Sequence, residues 1–200
     1  MRKIVVQEFV SLDGVMQAPG DKEEDIDGGF TQGGWVWPYW EDEIDAHVGA
    51  SISEIDTSLL GRKTWQSMGA AFEPMPEGDP LGDRMKATLK YVVSTTLTDT
   101  SLWRNSTVIR DNVIERVRAL KAQAGKNIGI AGSSLLVHTL AQHDLVDEYN
   151  LLVFPLVLGS GKRVFPEGQR MNLRLVESRP FPSGVLLMRY EPERAEGAEE

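Results

Sequence analysis

Cysteine is absent from this 200-residue chain, which excludes disulfide bridges, thiolate metal sites and cysteine nucleophiles. Long apolar runs are absent as well. The longest, residues 151–158, contains a proline and is far shorter than the roughly 20 residues that cross a bilayer. Residues 1–8 predict a β-strand and not a secretion signal, because no long apolar stretch follows their two basic side chains. We therefore expect a cytoplasmic protein without a membrane partner.

Positive charge is scarce, with 21 basic against 30 acidic residues and a formal net charge of −9. Such a surface repels nucleic acid, so no nucleic-acid partner is expected. The chain has three histidines, and the spacing of His47, His138 and His143 matches no metal-binding pattern, so no metal site is expected either. The G-x-S-x-G elbow found in many serine hydrolases is also missing.

Short β-rich runs alternate with amphipathic helical segments along the rest of the chain. Strands are predicted at residues 4–10, 57–60, 91–95, 107–109, from 127, at 147–155, 173–177 and 185–190. Helices are predicted at residues 41–55, from 62, at 112–124 and across 136–140. The alternation predicts an α/β fold with a mostly parallel sheet, and the last two strands predict an antiparallel C-terminal edge.

Three finer expectations accompany this pattern. The helix at 41–55 is expected to bury Ile44, Val48, Ile52 and Ile55 on one face. Residues 73–80, with three prolines, are expected to form an exposed loop. One domain is expected over residues 1–191, followed by an acidic, disordered tail at 192–200.

A candidate anion site lies where the strand 57–60 meets the next helix. Gly61 allows close approach of a backbone or ligand, Arg62 and Lys63 supply two cations, and Thr64 is expected to cap the helix. The first amides of a helix have no partner within it and carry partial positive charge, which favours phosphate. The alternative is a plain strand–helix turn with two solvated cations.

A second candidate site follows the β-rich run that begins at residue 127. Gly132, Ser133 and Ser134 form a small-residue turn into a helix, with room for a ligand and hydroxyl groups to bind it. The alternative is an ordinary helix cap. Two phosphate-binding turns without a Walker A lysine motif favour a phosphorylated cofactor over phosphoryl transfer.

Residues 28–40 form an aromatic segment, and four aromatics fall within the six positions 35–40. Because exposed aromatic side chains are unfavourable, we expect this loop to fold over a substrate pocket, with Trp37, Tyr39 and Trp40 among its contacts. The alternatives are an aromatic cluster that only pins the loop, or a dimer contact. Asp13 and Asp45 are the candidate acid groups, and each could equally be a turn former or a solvated helix residue.

Several of these stretches resemble one superfamily. Residues 60–69, Leu-Gly-Arg-Lys-Thr-Trp-Gln-Ser-Met-Gly, are similar to the dihydrofolate reductase signature Gly-Arg-x-Thr-Trp/Tyr-x-Ser, and residues 93–95 and 130–134 follow in the same order. The Ser-Leu-Asp-Gly at residues 11–14 and the stretches 145–148 and 155–162 resemble the reductase domain of the bifunctional riboflavin-biosynthesis deaminase-reductase. The resemblance spans residues 3 to about 190.

This resemblance implies a three-layer α/β/α fold and an enzyme that transfers hydride from NADPH to a pyrimidine- or pterin-like small molecule. The implied activity is similar to 5-amino-6-(5-phosphoribosylamino)uracil reduction in riboflavin biosynthesis. The alternatives are a dihydrofolate or pterin reductase and a non-catalytic, dimeric nucleotide-binding module. Analogy with the riboflavin branch and the surplus of aromatics also favour a homodimer.

The resemblance further assigns roles to residues of the two turns. Arg62, with Lys63 and Thr64 beside Gly61, would hold the 2′-phosphate and the pyrophosphate. Ser94 and Thr95 would line the adenosine half. The turn from Gly132 through Ser133 and Ser134 to Leu135 would meet the pyrophosphate at the start of the late helix. Asp45 is the counterpart of the acidic residue that contacts substrate.

Overall fold

A single eight-stranded sheet organises residues 1–193, which are the residues that the computed structural model describes. The spatial order of the strands is β4-β3-β2-β5-β1-β6-β8-β7. Six strands are parallel, and β8 pairs antiparallel with both β6 and β7. Their bounds are β1 Ile4–Ser11, β2 Ile55–Gly61, β3 Leu89–Val93, β4 Ser106–Ile109, β5 Asn127–Ile130, β6 Glu148–Phe154, β7 Leu173–Pro180 and β8 Leu186–Pro192.

Five α-helices cover the two faces of this sheet: α1 Asp42–Ser53, α2 Arg62–Phe72, α3 Pro80–Ala87, α4 Val113–Ala122 and α5 Ser134–Gln142. Consecutive residues of β2 point to opposite faces of the sheet. Leu59 packs in a cluster with α4 and α5, whereas Leu60 packs with Trp65 of α2. Ile44 of α1 packs against Phe154 of β6 in a third cluster. The predicted mostly parallel α/β sheet with an antiparallel C-terminal edge is confirmed, and its helices form two outer layers.

Three differences between the observed elements and the predicted ones have a clear physical cause or consequence. Ile55 was predicted on the buried stripe of the first helix, but α1 ends at Ser53 and Ile55 begins β2. Helix α3 was not predicted; Asp79 caps it by accepting a hydrogen bond from the Gly82 amide, and Pro80 occupies its first turn. β8 continues through Pro192, one residue into the predicted tail, whose residues 194–200 lie outside the described part of the chain.

No helix among residues 1–193 is both long enough and apolar enough to pass through a membrane. Parallel strands place their carboxyl ends at one edge of the sheet, and the loops that leave this edge bring the two candidate anion turns together.

Candidate functional site

The two predicted anion turns form one structure at the carboxyl edge of the sheet. β2 and β5 are neighbours, so the start of α2 lies directly beside the start of α5. The Ser133 hydroxyl accepts a hydrogen bond from the Gly61 amide at 2.8 Å and donates to Thr64 Oγ1 at 3.0 Å. Thr64 Oγ1 also accepts from the Ser133 amide at 3.1 Å. The N-termini of α2 and α5 are therefore joined side by side.

Thr64 does not cap α2, which corrects the prediction from sequence. The N-cap position is occupied by Gly61, which has no side chain to accept an amide, and Thr64 lies inside the first turn. Its hydroxyl is used across the site instead, on Ser133. The first-turn amides of α2 are consequently not capped by a side chain, which leaves them able to meet an anion.

Glycine is required at position 132 for two reasons. Its φ of +65° is in the left-handed region, and a Cβ there would lie 2.8 Å from Thr64 Cγ2. At Gly61 a Cβ would approach the Ser133 hydroxyl to 3.3 Å. Ser133 itself adopts φ +59°, so this turn combines a left-handed serine with close backbone packing.

The amides of the second turn divide into two groups. The Gly132 amide interacts with the carboxyl group of Glu8, and the Ser133 amide donates to Thr64. The amides of Ser134 and Leu135 are the first of α5, and no side chain caps that helix. Of the predicted contacts, Gly132 and Ser133 thus shape the turn, while Ser134 and Leu135 present donors at its mouth.

The cations of the first turn are held by neighbouring side chains. Arg62 donates to Gln66 Oε1 at 2.9 Å along the surface of α2. Lys63 is paired with Asp27 of the loop 17–37. Lys162, from the turn after β6, pairs with Asp27 at 2.8 Å and also with Asp25. Hydrogen bonds from Lys162 and then Lys63 lower the pKa of Asp27 to about 2, so this carboxylate bridges two cations from opposite sides of the site.

Ser94 and Thr95 follow β3 at the same edge, two strands away from the second turn. The Ser94 hydroxyl accepts from the amides of Thr96 and Leu97 at 3.2 and 3.0 Å, so it builds the turn. Thr95 is exposed. Both lie on the Arg62 side of the site.

The two candidate acids differ in their surroundings. Burial alone would raise the pKa of Asp13, but hydrogen bonds from the Ser11 hydroxyl and the amides of Leu158 and Gly159 outweigh it and lower the pKa to about 2. An ionised Asp13 ties the loop after β1 to the loop after β6 and is a poor proton donor at neutral pH. Asp45 lies on the exposed side of α1. The hydrogen bonds of Asp13 favour a structural role for this carboxylate.

The aromatic segment packs onto the sheet. Trp40 contacts Phe9 of β1 with ring centroids 5.5 Å apart, and Tyr39 contacts Phe154 of β6 at 6.1 Å. Trp37 remains 57% exposed beside Trp40, with its indole nitrogen donating to the Gly20 carbonyl. Trp40 and Tyr39 therefore pin the loop, as one of the alternatives held, and Trp37 is the member of the set that is open to solvent.

Glu8, which lies within the apolar run of β1, was not among the site residues predicted from sequence. Only 7% of its surface is exposed, and its Oε1 atom has no hydrogen-bond partner. Burial raises the pKa of Glu8 well above its usual range, the Gly132 amide opposes this, and the charge of Glu24 adds to it. The signal in the sequence was an acidic residue at the alternating position between Val6 and Val10, which share its face of the strand.

Comparison with known proteins gives concordant results. The family model of the RibD C-terminal domain matches residues 2–187. The YyaP protein of Bacillus subtilis strain 168 is 32% identical over 197 residues, covering 94% of both chains. A Shewanella sp. PV-4 protein named for riboflavin biosynthesis superposes with a TM-score of 0.73 at 19% identity, covering 96% of this chain and 99% of that one.

Dihydrofolate reductase from Enterococcus faecalis, solved with NADP(H) and RAB-propyl, superposes with a TM-score of 0.60 at 16% identity, over 96% of this chain and 97% of that one. The structural likenesses establish the dihydrofolate reductase-like fold. The match to the family model extends over nearly the whole described sheet, from before β1 into β8. The chain belongs to the RibD C-terminal domain family.

Proposed function

We propose that the protein is an NADPH-dependent reductase that transfers hydride to a pyrimidine- or pterin-like substrate, as in the 5-amino-6-(5-phosphoribosylamino)uracil reductase step of riboflavin biosynthesis. The observation that carries the proposal is the junction of two helix N-termini through Ser133, Thr64 and Gly61. Family membership supports a reductase with this fold.

The residues at this junction fit the phosphates of a dinucleotide. The first amides of two helices, with Ser134 and Leu135 among them, form a donor set suited to pyrophosphate. Arg62 is partly exposed and donates to Gln66 through one nitrogen, Nη1, so its planar guanidinium can bind a 2′-phosphate in a bidentate manner. Ser94 and Thr95 would line the adenosine half. When bound, the nicotinamide would supply the hydride.

The substrate would lie on the side of the aromatic segment. Exposed Trp37 beside Trp40 offers a flat apolar surface to a heterocycle, and the loop that carries them would exclude water. The task of the chain is then to orient two ring systems and keep the site dry. Assembly as a homodimer is part of this proposal.

Titration with NADPH tests the cofactor, because the five tryptophans supply a fluorescence signal. We expect saturable binding, and Arg62→Ala should weaken NADPH by about 10-fold or more while changing NADH little, since only NADPH carries the 2′-phosphate. Arg116→Ala, an exposed arginine on α4, is the matched control and should bind like the wild type. Absence of a saturable fluorescence change up to millimolar NADPH would refute the proposal.

Consumption of NADPH, followed by absorbance with the ribosylaminopyrimidine phosphate and with dihydrofolate as substrates, separates the two reductase activities. Turnover of the former supports the riboflavin-type reaction. Turnover of dihydrofolate alone would transfer the assignment to a folate reductase. Binding of NADPH without turnover of either class would favour the non-catalytic nucleotide-binding module.

A further inference from the structure

Glu8 is a buried carboxyl group with an unused oxygen beneath the second anion turn. It lies on β1 opposite Leu151 of β6, in a row whose neighbours Val6 and Val10 belong to the apolar core. One interaction comes from the amide of Gly132, while Oε1 has no hydrogen-bond partner. The same Gly132 opens the turn in which the Ser134 and Leu135 amides are the donors proposed for a phosphate.

The charges around Glu8 do not compensate a carboxylate there. Glu24, on the loop 17–37, is a like charge close enough to disfavour ionisation of Glu8. The cations on the surrounding elements are engaged elsewhere: Lys63 at the start of α2 and Lys162 after β6 pair with Asp25 and Asp27, and Arg163 pairs with Asp13. On α5, His138 contacts the carbonyl oxygen of Arg163 at 3.1 Å. β5 and β6 present the apolar side chains Ile130 and Leu151.

We propose that Glu8 is a positioning residue of the cofactor site: its carboxyl group must be neutral for a phosphate-bearing dinucleotide to bind at the turn 132–135, and its ionisation excludes that ligand. The inference rests on the proposed function in taking a dinucleotide as the ligand. A neutral carboxyl stabilises the Gly132 turn without opposing a phosphate. An ionised one places an uncompensated negative charge, shielded from water, next to the amides that bind the anion.

The consequence is a coupling between proton and ligand. Ionisation of Glu8 weakens binding, so ligand binding raises the pKa of Glu8 further, by thermodynamic reciprocity. Above the pKa of Glu8 in the ligand-free protein, the affinity for the dinucleotide should fall by up to about tenfold per pH unit.

The dissociation constant of NADP⁺, measured by calorimetry from pH 6 to pH 9, tests this in the wild type and in Glu8→Gln, whose amide imitates the neutral acid. The ratio of the wild-type constant to the Glu8→Gln constant cancels the titration of the ligand, which is common to both proteins. We expect the dissociation constant of the wild type, divided by that of Glu8→Gln, to be near one at low pH and to rise with pH. A ratio that stays flat from pH 6 to pH 9 overturns the inference.

Glu24→Gln provides a second test that leaves the buried carboxyl in place. Removing the charge of Glu24 lowers the pKa of Glu8, so the loss of affinity should begin at lower pH than in the wild type. Glu115→Gln, an exposed glutamate on α4, is the control and should leave the profile unchanged. An unshifted profile in Glu24→Gln would contradict the role of Glu8 even if Glu8→Gln failed to fold.

Inorganic pyrophosphate separates this inference from the proposed function. If the wild type binds pyrophosphate but not NADP⁺, the cofactor assignment falls, and the pH profile of pyrophosphate binding decides the role of Glu8. If neither ligand binds, both proposals fall.

Discussion

At the scale of single residues, charge and hydroxyl positions were predictable from sequence, whereas their partners were not. The run from Gly61 to Thr64 predicted an anion turn, and the structure places its glycine and cations at the junction of β2 with α2. The contact between Thr64 and Ser133 joins residues 69 positions apart and depends on which strands are neighbours. Glu8 was missed because an acidic side chain in a strand usually faces solvent, although its spacing from Val6 and Val10 puts it on the buried face.

Asp13 makes a prediction at this scale. Its pKa is depressed to about 2, so its contribution to stability is present above its unfolded pKa of about 3.9 and is lost as pH falls towards 2. Asp13→Asn should lower the free energy of unfolding at pH 7 by about 1–2 kcal/mol, since charge-assisted hydrogen bonds from two amides and a hydroxyl are weakened.

Urea unfolding at pH 7 and at pH 3 measures this effect. The difference between wild type and Asp13→Asn should shrink at the lower pH. Asp45→Asn, on the exposed side of α1, should change stability by less than about 0.5 kcal/mol. Equal losses in both variants would show that the network around Asp13 contributes nothing of its own.

At the scale of elements, strand and helix types followed the sequence, and the failures have physical causes. Helix α3 was not predicted because Pro80 and Gly82 have low helix propensity. Proline is nevertheless favourable in the first turn of a helix, and Asp79 supplies the N-cap. Ile55 fitted the helical stripe of α1 but belongs to β2, where pairing with β5 outweighs the local period. The turn between β5 and α5 was predicted from its small residues. The sequence did not reveal that Gly132 and Ser133 both adopt left-handed φ angles there.

Gly132→Ala is the prediction at this scale. The alanine would have to adopt φ +65° and bring its Cβ within 2.8 Å of Thr64, so we expect a loss of about 2–3 kcal/mol in stability and weakened NADPH binding. Gly78→Ala is the matched control, because Gly78 has φ +89° with nothing within 4 Å of its Cβ. Thermal unfolding of both variants isolates the packing contribution, and identical shifts would mean that backbone strain alone matters.

At the scale of the whole molecule, the strand order could not be deduced from the sequence, since the central position of β5 and β1 is set by crossovers. That order brings a basic turn and an acidic loop together in a chain with a formal net charge of −9. Asp27 connects Lys63 at one end of the site with Lys162 at the other. The aromatic segment continues from the same loop onto β1 and β6.

Asp27→Asn should therefore strengthen NADPH binding, because the carboxylate competes with ligand phosphate for Lys63. We expect a gain of about two- to fivefold at low salt, as for a surface ion pair, and a smaller gain at high salt. Asp21→Asn removes the same charge from the same loop without touching a lysine and should have less effect. Fluorescence titration measures both, and weaker binding in Asp27→Asn would show that the carboxylate orients the lysines instead.

The hydrogen bonds between Ser133, Thr64 and Gly61 also bear on how the chain folds. They close a loop of about 70 residues, so the candidate anion site cannot form before β2 and β5 have paired, and such distant pairings are slow to form. A partly folded chain therefore lacks the turns that would bind a cofactor. The ligand would thus stabilise the completed fold alone, and the loss of binding on heating should coincide with the global unfolding transition.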